Sequence, residues 1–544
     1  MDSVFRTVSE AWRDRHLFFA ENHQATYQPL ARPEELELPS GSNSEYDAET
    51  ATLETSTALK EGYASPRSSP AWLSELLPRS ERLSKLLCAI LVILTPSWLT
   101  RSDGKVKKLH PTAWLDGLRG VASLLVVFHH SSALWYMPLN RGWHSSPEDV
   151  YFVQLPIIRL FYSGPAMVAI FFVVSGFSLS YKPLSLIRKG RYEEVLDSLS
   201  SSVLRRGLRL VIPPAFVTFF SMLFAYLHFY GSGRDSREPP QSPFFWEHLK
   251  SWYFSVIGLS DPFRPNNFPG GYQPVYDPNL WTIPVELHGS MVIFTTLLGL
   301  SRVRGPWRVG LLCGIVFYTS YYAHSHLFLF LSGVLLAELH HAREARSQAP
   351  KSPTVEDPAS CSTLAPPAPP PASPRWTGTH VFWLLNLVPA LWVLSMPPID
   401  FGGAQSPGYM TLSAYLPSHY ADIPMVKDTF WVFVAAFYLV FILDAAPFLQ
   451  SVFTTRFAQY LGRISFALYI CHGTFLYTLG WNLSERTLSW TGKDGEWEKA
   501  VGIALAGCVM YPLLFWTADV VAREVDARSV RWARWLQDRI SVGW

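Results

Sequence analysis

Charge is what this sequence has least of. Lys, Arg, Asp and Glu together make up 16% of the 544 residues, where soluble domains carry about a quarter. The charged surface that would keep a chain of this size in water is therefore missing. A formal net charge of +2 gives no basic field for nucleic acid, and no nucleic-acid partner is expected. The five cysteines (Cys88, Cys313, Cys361, Cys471, Cys508) are scattered without CxxC spacing, which excludes a disulfide framework and a zinc site. Met1 to Ala20 carries charges throughout and no apolar h-region, so no signal peptide is expected there. What fills the sequence instead is 49% hydrophobic and 15% aromatic residues. The mean hydropathy of +0.12 averages over polar stretches. An all-α, polytopic membrane protein is the class this balance predicts.

The polar residues are concentrated in a few places. Residues 1–84, rich in Ser, Glu and Pro, read as a disordered tail. Residues 85–110 combine an apolar stretch from Leu86 to Trp98, too short to span, with Lys105, Lys107 and Lys108. They read as an interfacial helix and a basic flank. Residues 111–525 form the membrane domain, and 526–544 a basic C-terminal tail. Within the domain, hydrophobic segments recur near 114–136, 155–181, 207–230, 280–300, 307–323, 324–341, 379–397, 428–446, 460–480 and 499–522. These give about ten transmembrane helices. A Pro-rich linker at 342–378, with Pro366 to Pro371 at its centre, divides them six plus four. The long loop 231–279, rich in Pro, Gly and aromatics, reads as a packed cap.

Lys and Arg collect on alternate loops: Arg188 to Arg206, Arg302 and Arg304, Arg343 to Arg375, and the tail from Arg523. The intervening loop 398–427 has only Lys427. This alternation predicts that both termini and the linker are cytoplasmic. A multi-pass protein of the endoplasmic reticulum or another endomembrane is expected.

Ionisable residues inside such spans mark function by default. In the first span Arg119 and His130 are eleven residues apart, which at about 100° per residue places them within about 20° of one face. His130 lies about 16 Å further along the axis. Asp116 shares that face and His129 does not. Arg119 could alternatively act as a snorkelling anchor. Glu286, in the fourth span, matches His130 in depth, so its carboxylate could orient the imidazole or hold a substrate hydroxyl. His472 lies at similar depth, where a structural hydrogen bond is the expected role. At the cytoplasmic mouth of the third span, Arg205, Arg206 and Arg209 form a cluster suited to a polyphosphate ligand or to lipid headgroups. No metal site is expected.

Five ordered blocks resemble the acyltransferase-3 family of integral membrane acyltransferases, especially its fungal branch. They are Leu115-Asp-Gly-Leu-Arg-Gly with His130, Phe171 to Phe177, Arg205 to Pro213, Leu280-Trp-Thr-Ile-Pro-Val-Glu286, and Leu461 to His472 with its Ile-Ser and Tyr. The resemblance covers about residues 110–525, and the long tail and Pro-rich linker are departures in length. It implies a ten-helix bundle that moves an acyl group, usually acetyl, from acyl-CoA to a hydroxyl. On that resemblance His130 is the catalytic residue and Glu286 lies in the acceptor site. Arg119 engages the donor, with Arg205, Arg206 and Arg209 near the CoA phosphates. Acyl-CoA is a co-substrate, and no permanently bound cofactor is expected. The partners are acyl-CoA, a hydroxyl-bearing acceptor and the bilayer. A terpenoid or polyketide alcohol, or a cell-surface glycan, is the expected acceptor.

Two other functions compete. The other large family of membrane O-acyltransferases would require an Asn block to accompany a late His, and none is present. A proton-coupled transporter could use Glu286, His130 and Arg119 as relay groups, but the internal symmetry typical of such carriers is not visible.

Overall fold

The computed structural model describes residues 92–97, 99, 109–231, 239–263, 272–348, 377–423 and 426–540. The expected polar tail, most of the basic flank, the Pro-rich centre of the linker and residues 264–271 of the long loop lie outside them. Every regular element among the described residues is helical.

The main helices are α1 (Ala113–Trp135), α2 (Gly164–Arg188), α3 (Tyr192–Tyr226), α4 (Phe245–Leu259), α5 (Thr282–Leu300), α6 (Gly305–Tyr321) and α7 (Ser325–Gln348). They are followed by α8 (Gly378–Leu394), α9 (Val426–Ala445), α10 (Arg456–Phe475), α11 (Trp481–Thr491), α12 (Glu496–Val521) and α13 (Ala527–Ile540). A helix stands over each of the ten apolar segments. Among the described residues, five helical stretches are long and apolar enough to cross a membrane, those carrying α2, α3, α5, α9 and α12. Polar residues such as Asp116, Arg119, His129 and His130 dilute the apolar run of α1.

Several boundaries differ from the sequence reading, among them the start of α2, at Gly164 rather than near 155. α3 begins at Tyr192 rather than near 207, with Glu193 and Glu194 in its first turn, where acidic side chains favour the helix dipole. It continues through Pro213 and Pro214, so the arginine cluster lies along a helix rather than at its mouth. α7 runs to Gln348, into the expected linker, and His340 and Arg343 on it both bind Asp444 of α9. The C-terminal segment is a helix too: α12 passes through a π-turn at Ala522–Asp526 directly into α13. α13 buries Ser529, Val530 and Ala533 and packs against α3.

In lipid there is little hydrophobic force between helices, so close packing at small residues carries much of the association. Two such crossings frame the bundle. Gly176 of α2 and Gly333 of α7 each lie against backbone of the other helix, where a Cβ would not fit. Gly120 of α1 and Gly462 of α10 do the same, a Cβ on Gly462 falling 2.6 Å from the Asp116 carbonyl oxygen. Because α1 and α10 run parallel, the register set at that crossing persists along both helices. Ser123 Oγ donates to the Ser465 carbonyl at 2.9 Å, and seven residues later His130 faces His472.

Two flanking pieces close the structure. α4 packs on α3 and α5, with Trp252 Nε1 donating to Thr218 Oγ1 at 3.2 Å. The short segment from Val92 to Ser97 docks on α12. There Ser97 N donates to Asp519 at 2.9 Å, and Arg523 and Trp516 donate to its backbone carbonyls.

Candidate active site

The α1–α10 pair brings two of the sequence blocks together. The His130 and His472 rings lie 5.1 Å apart, centroid to centroid, with planes 34° apart. His472 is fully buried, and its Nδ1 donates to the carbonyl of Tyr469. His129 is turned elsewhere: its Nδ1 donates to the Tyr162 carbonyl at 2.9 Å, and its ring covers Gly164 at the start of α2. The neighbouring histidines of α1 therefore serve different surroundings. Lower on α1, Arg119 forms an ion pair with Asp116 at 2.9 Å and donates from Nε to Ser465 Oγ at 3.2 Å.

The remaining three blocks meet at a second point. Glu286 of α5 accepts from Ser175 Oγ of α2 at 2.9 Å and forms an ion pair with Arg206 of α3. Arg206 Nε also donates to Ser290 Oγ at 3.1 Å, one turn beyond Glu286. Both members are half-buried, and each is paired as membrane interiors require of charged groups.

Tyr469 links the two points. Its ring lies 5.5 Å from that of His472, and its hydroxyl bonds Thr282 Oγ1 at 2.6 Å, one turn before Glu286. The same hydroxyl donates to the Asn279 carbonyl. Just before α5, the buried carboxylate of Asp277 accepts from Asn279 N at 3.1 Å and rests against Gly473. Only a glycine leaves room for it there.

The arginine cluster is divided. Arg206 faces Glu286, whereas Arg209 forms an ion pair with Asp526 in the π-turn after α12 at 3.1 Å. Arg205 is half-buried on the same helix. Arg119, Arg206 and Arg209 therefore each have a carboxylate partner, and a phosphate would engage groups that are already paired. Sequence reasoning missed Ser175, Thr282, Tyr469 and Asp277 as neighbours of these groups. Ser175, Thr282 and Tyr469 stand inside the quoted blocks; Asp277 carried no signal beyond its place before Trp281. Among the described residues no group of three or more His, Cys, Asp or Glu side chains could hold a metal ion.

A helical membrane bundle with a paired imidazole site, one ring fully and the other partly buried, linked through a tyrosine to a half-buried Arg–Glu pair, has the parts of a membrane-embedded transferase. The chain belongs to the acyltransferase-3 family: residues 112–518 match Acyl_transf_3, an acyltransferase domain. It is similar to the O-acetyltransferase PaAT-1 of Phomopsis amygdali, 36% identical over 471 residues, covering 82% of this chain and 88% of that one. Acyltransferase clz18 of Cochliobolus lunatus is 24% identical, over 76% of this chain and 93% of its own. Acyltransferase R4 of Phoma sp. (strain ATCC 20986 / MF5453) is 25% identical, over 74% and 90%. No solved structure matches the chain. The protein is thus a fungal-type membrane acyltransferase, and the enzyme reading of the sequence stands in place of the transporter.

Proposed function

We propose that this protein transfers an acetyl group from acetyl-CoA to a hydroxyl of a fungal secondary metabolite, a terpenoid or polyketide alcohol; a cell-surface glycan is the other acceptor class. The observation that carries this reading is His130 beside His472, on the same helix as Arg119 and about 16 Å along the axis from it. PaAT-1, by its name an O-acetyltransferase, supports acetyl as the acyl group.

In this mechanism His130 is the general base. Neutral imidazole suits proton removal near neutral pH. The acceptor O–H proton passes to His130 as the oxygen attacks the thioester carbonyl. The C–S bond then breaks, and the departing thiolate takes the proton back to leave as CoA thiol. Arg119, Arg205, Arg206 and Arg209 supply positive charge for the donor's phosphates, and Arg suits planar, bidentate recognition of them. Glu286 lies on the acceptor side, held by Ser175 and Arg206. The Arg206–Glu286 pair then stands between donor and acceptor. The distribution of Lys and Arg supports a ten-span endoplasmic reticulum or endomembrane protein with both termini cytoplasmic.

The test is purified protein in detergent with labelled acetyl-CoA and a fungal metabolite extract. Label is expected in a product heavier than its precursor by one acetyl group. Folded protein that releases no CoA and labels nothing overturns the proposal.

A further inference from the structure

His472 has a hydrogen-bonding pattern that a purely structural histidine would avoid. Its Nδ1 faces the Tyr469 carbonyl, and a carbonyl only accepts, so Nδ1 carries the ring proton and Nε2 is a bare lone pair. The residue is 0% exposed, and nothing donates to Nε2. A buried acceptor without a donor is destabilising, so such an atom calls for a partner that the resting arrangement does not align.

The imidazole of His130 is the neighbouring ring, at a centroid separation of 5.1 Å. Two imidazoles joined by an N–H···N bond of about 2.9 Å stand at roughly this separation. Catalytic hydrogen bonds commonly align only when substrate is bound. Of the other polar groups near His472, the Tyr469 hydroxyl donates to the Asn279 carbonyl and His129 Nδ1 to the Tyr162 carbonyl, while Asp277 accepts from Asn279 N through Oδ1 and rests against Gly473, and neither of its oxygens bonds His472. Cys471 is buried in the apolar packing of α10.

We infer that His472 is a positioning residue for His130: in the reacting complex its Nε2 accepts the N–H of His130 and so fixes the opposite nitrogen of His130 as the lone pair that meets the acceptor hydroxyl. This rests on His130 being the base. When His130 takes the acceptor proton, it becomes an imidazolium. One of its N–H groups is then held by His472, and the other returns its proton to the departing thiolate. A neutral imidazole performs here what a carboxylate does beside many catalytic histidines, without adding a charge to the membrane interior.

The experiment compares His472→Phe, which removes the lone pair and keeps a ring, with His472→Gln, whose amide oxygen can accept the same N–H. His472→Phe is expected to lower kcat about 10- to 100-fold, part of the about 100- to 10,000-fold that a general base contributes. The KM for acetyl-CoA should not change. The acid limb of its kcat–pH profile should move to lower pH, because the imidazolium loses its acceptor. His472→Gln should recover most of the rate and part of the limb. Wild-type kcat in His472→Phe, or folded His472→Gln no more active than folded His472→Phe, overturns the inference. Should His472→Phe fail to fold, His472→Asn, with a shorter amide, takes its place in the same comparison. His130→Ala separates the two readings: normal turnover there sinks the base assignment itself, whereas an inactive His130→Ala beside unaffected His472 variants sinks only the positioning role.

Discussion

Arg206 and Glu286 form an ion pair between α3 and α5, half-buried and braced by Ser175 and Ser290. Breaking such a pair from one side strands the other charge, at a cost of about 3–5 kcal/mol, while replacing both with apolar groups is often neutral or better. Arg206→Met and Glu286→Leu should therefore each lower stability strongly in detergent, and the double variant should recover much of the loss. Strict additivity in the double-mutant cycle would show that the pair is not coupled.

The histidines of α1 should separate cleanly. His130→Ala should lose about 100- to 10,000-fold in turnover, the usual contribution of a general base. His129→Ala should reduce turnover modestly and act mainly on stability, by about 1–3 kcal/mol, because it leaves the Tyr162 carbonyl unpaired. Turnover and thermal unfolding measured on the same preparations distinguish the two. A dead His129→Ala beside a working His130→Ala would mean that the wrong ring faces the substrate.

Arg119 is paired with Asp116, so the donor must compete with a carboxylate for it. Arg119→Ala should raise the KM for acetyl-CoA about ten- to a hundredfold, corresponding to about 1.5–3 kcal/mol for a lost charge-assisted contact. Asp116→Asn should act in the opposite direction and tighten donor binding, most visibly at low ionic strength. If both substitutions leave donor affinity unchanged, Arg119 is an anchor rather than a ligand.

Asp277 predicts a pH dependence of stability. Burial pushes its carboxyl up from 3.8 to about 7, against the pull of backbone N–H groups of Asn279 and Thr474. A carboxyl raised in the folded state stays protonated there while the unfolded chain has already released its proton. Its stabilising contribution is thus complete below the unfolded value of 3.8 and disappears as pH rises through about 7. The span of about three units amounts to about 4 kcal/mol. Asp277→Asn removes this slope, so the melting temperature of the variant relative to wild type should climb between about pH 4 and 7 and level off above. Parallel melting curves across that range would contradict it.

Topology can be mapped directly. Tags placed at the N-terminus, within 349–376 and after Ile540 should all be accessible from the cytosol, because Lys and Arg crowd those flanks. Protection of the internal tag in sealed microsomes would reverse the arrangement.

Much of this fold was legible because long apolar runs announce helices, and a helix stands at each of the ten runs, although among the described residues five helical stretches are long and apolar enough to cross a membrane. The misread pieces share a cause. The start of α3 and the whole of α13 present charged faces, and α13 hides its packing surface in only Ser529, Val530 and Ala533, too sparse for an apolar run to reveal. In the site, the shared face of Arg119 and His130 follows from helical angle alone. Their distant partners do not: Ser465 beside Arg119 and His472 beside His130 come from a helix hundreds of residues away, as does Asp526, the partner of Arg209. The structural bond expected of His472 is present at Nδ1, but its Nε2 has another aspect that only the approach of α1 exposes. Buried charge was also an imperfect guide. Glu338, at 0% exposure, is held between Arg188 and Arg308 at 2.5 and 2.8 Å and braces α2, α6 and α7 away from the imidazoles.

The glycine crossing of α1 and α10 has a consequence for which donors can react. Since Gly120 locks onto Gly462 between the level of Arg119 and the level of His130, neither helix can slide without carrying both ends of the site along. The crossing is a fixed ruler. On the proposed roles of Arg119 and His130, a donor must span the whole interval from arginine to imidazole with its reactive end in place, so that a shortened donor would gain the charge contact or the chemistry, never both.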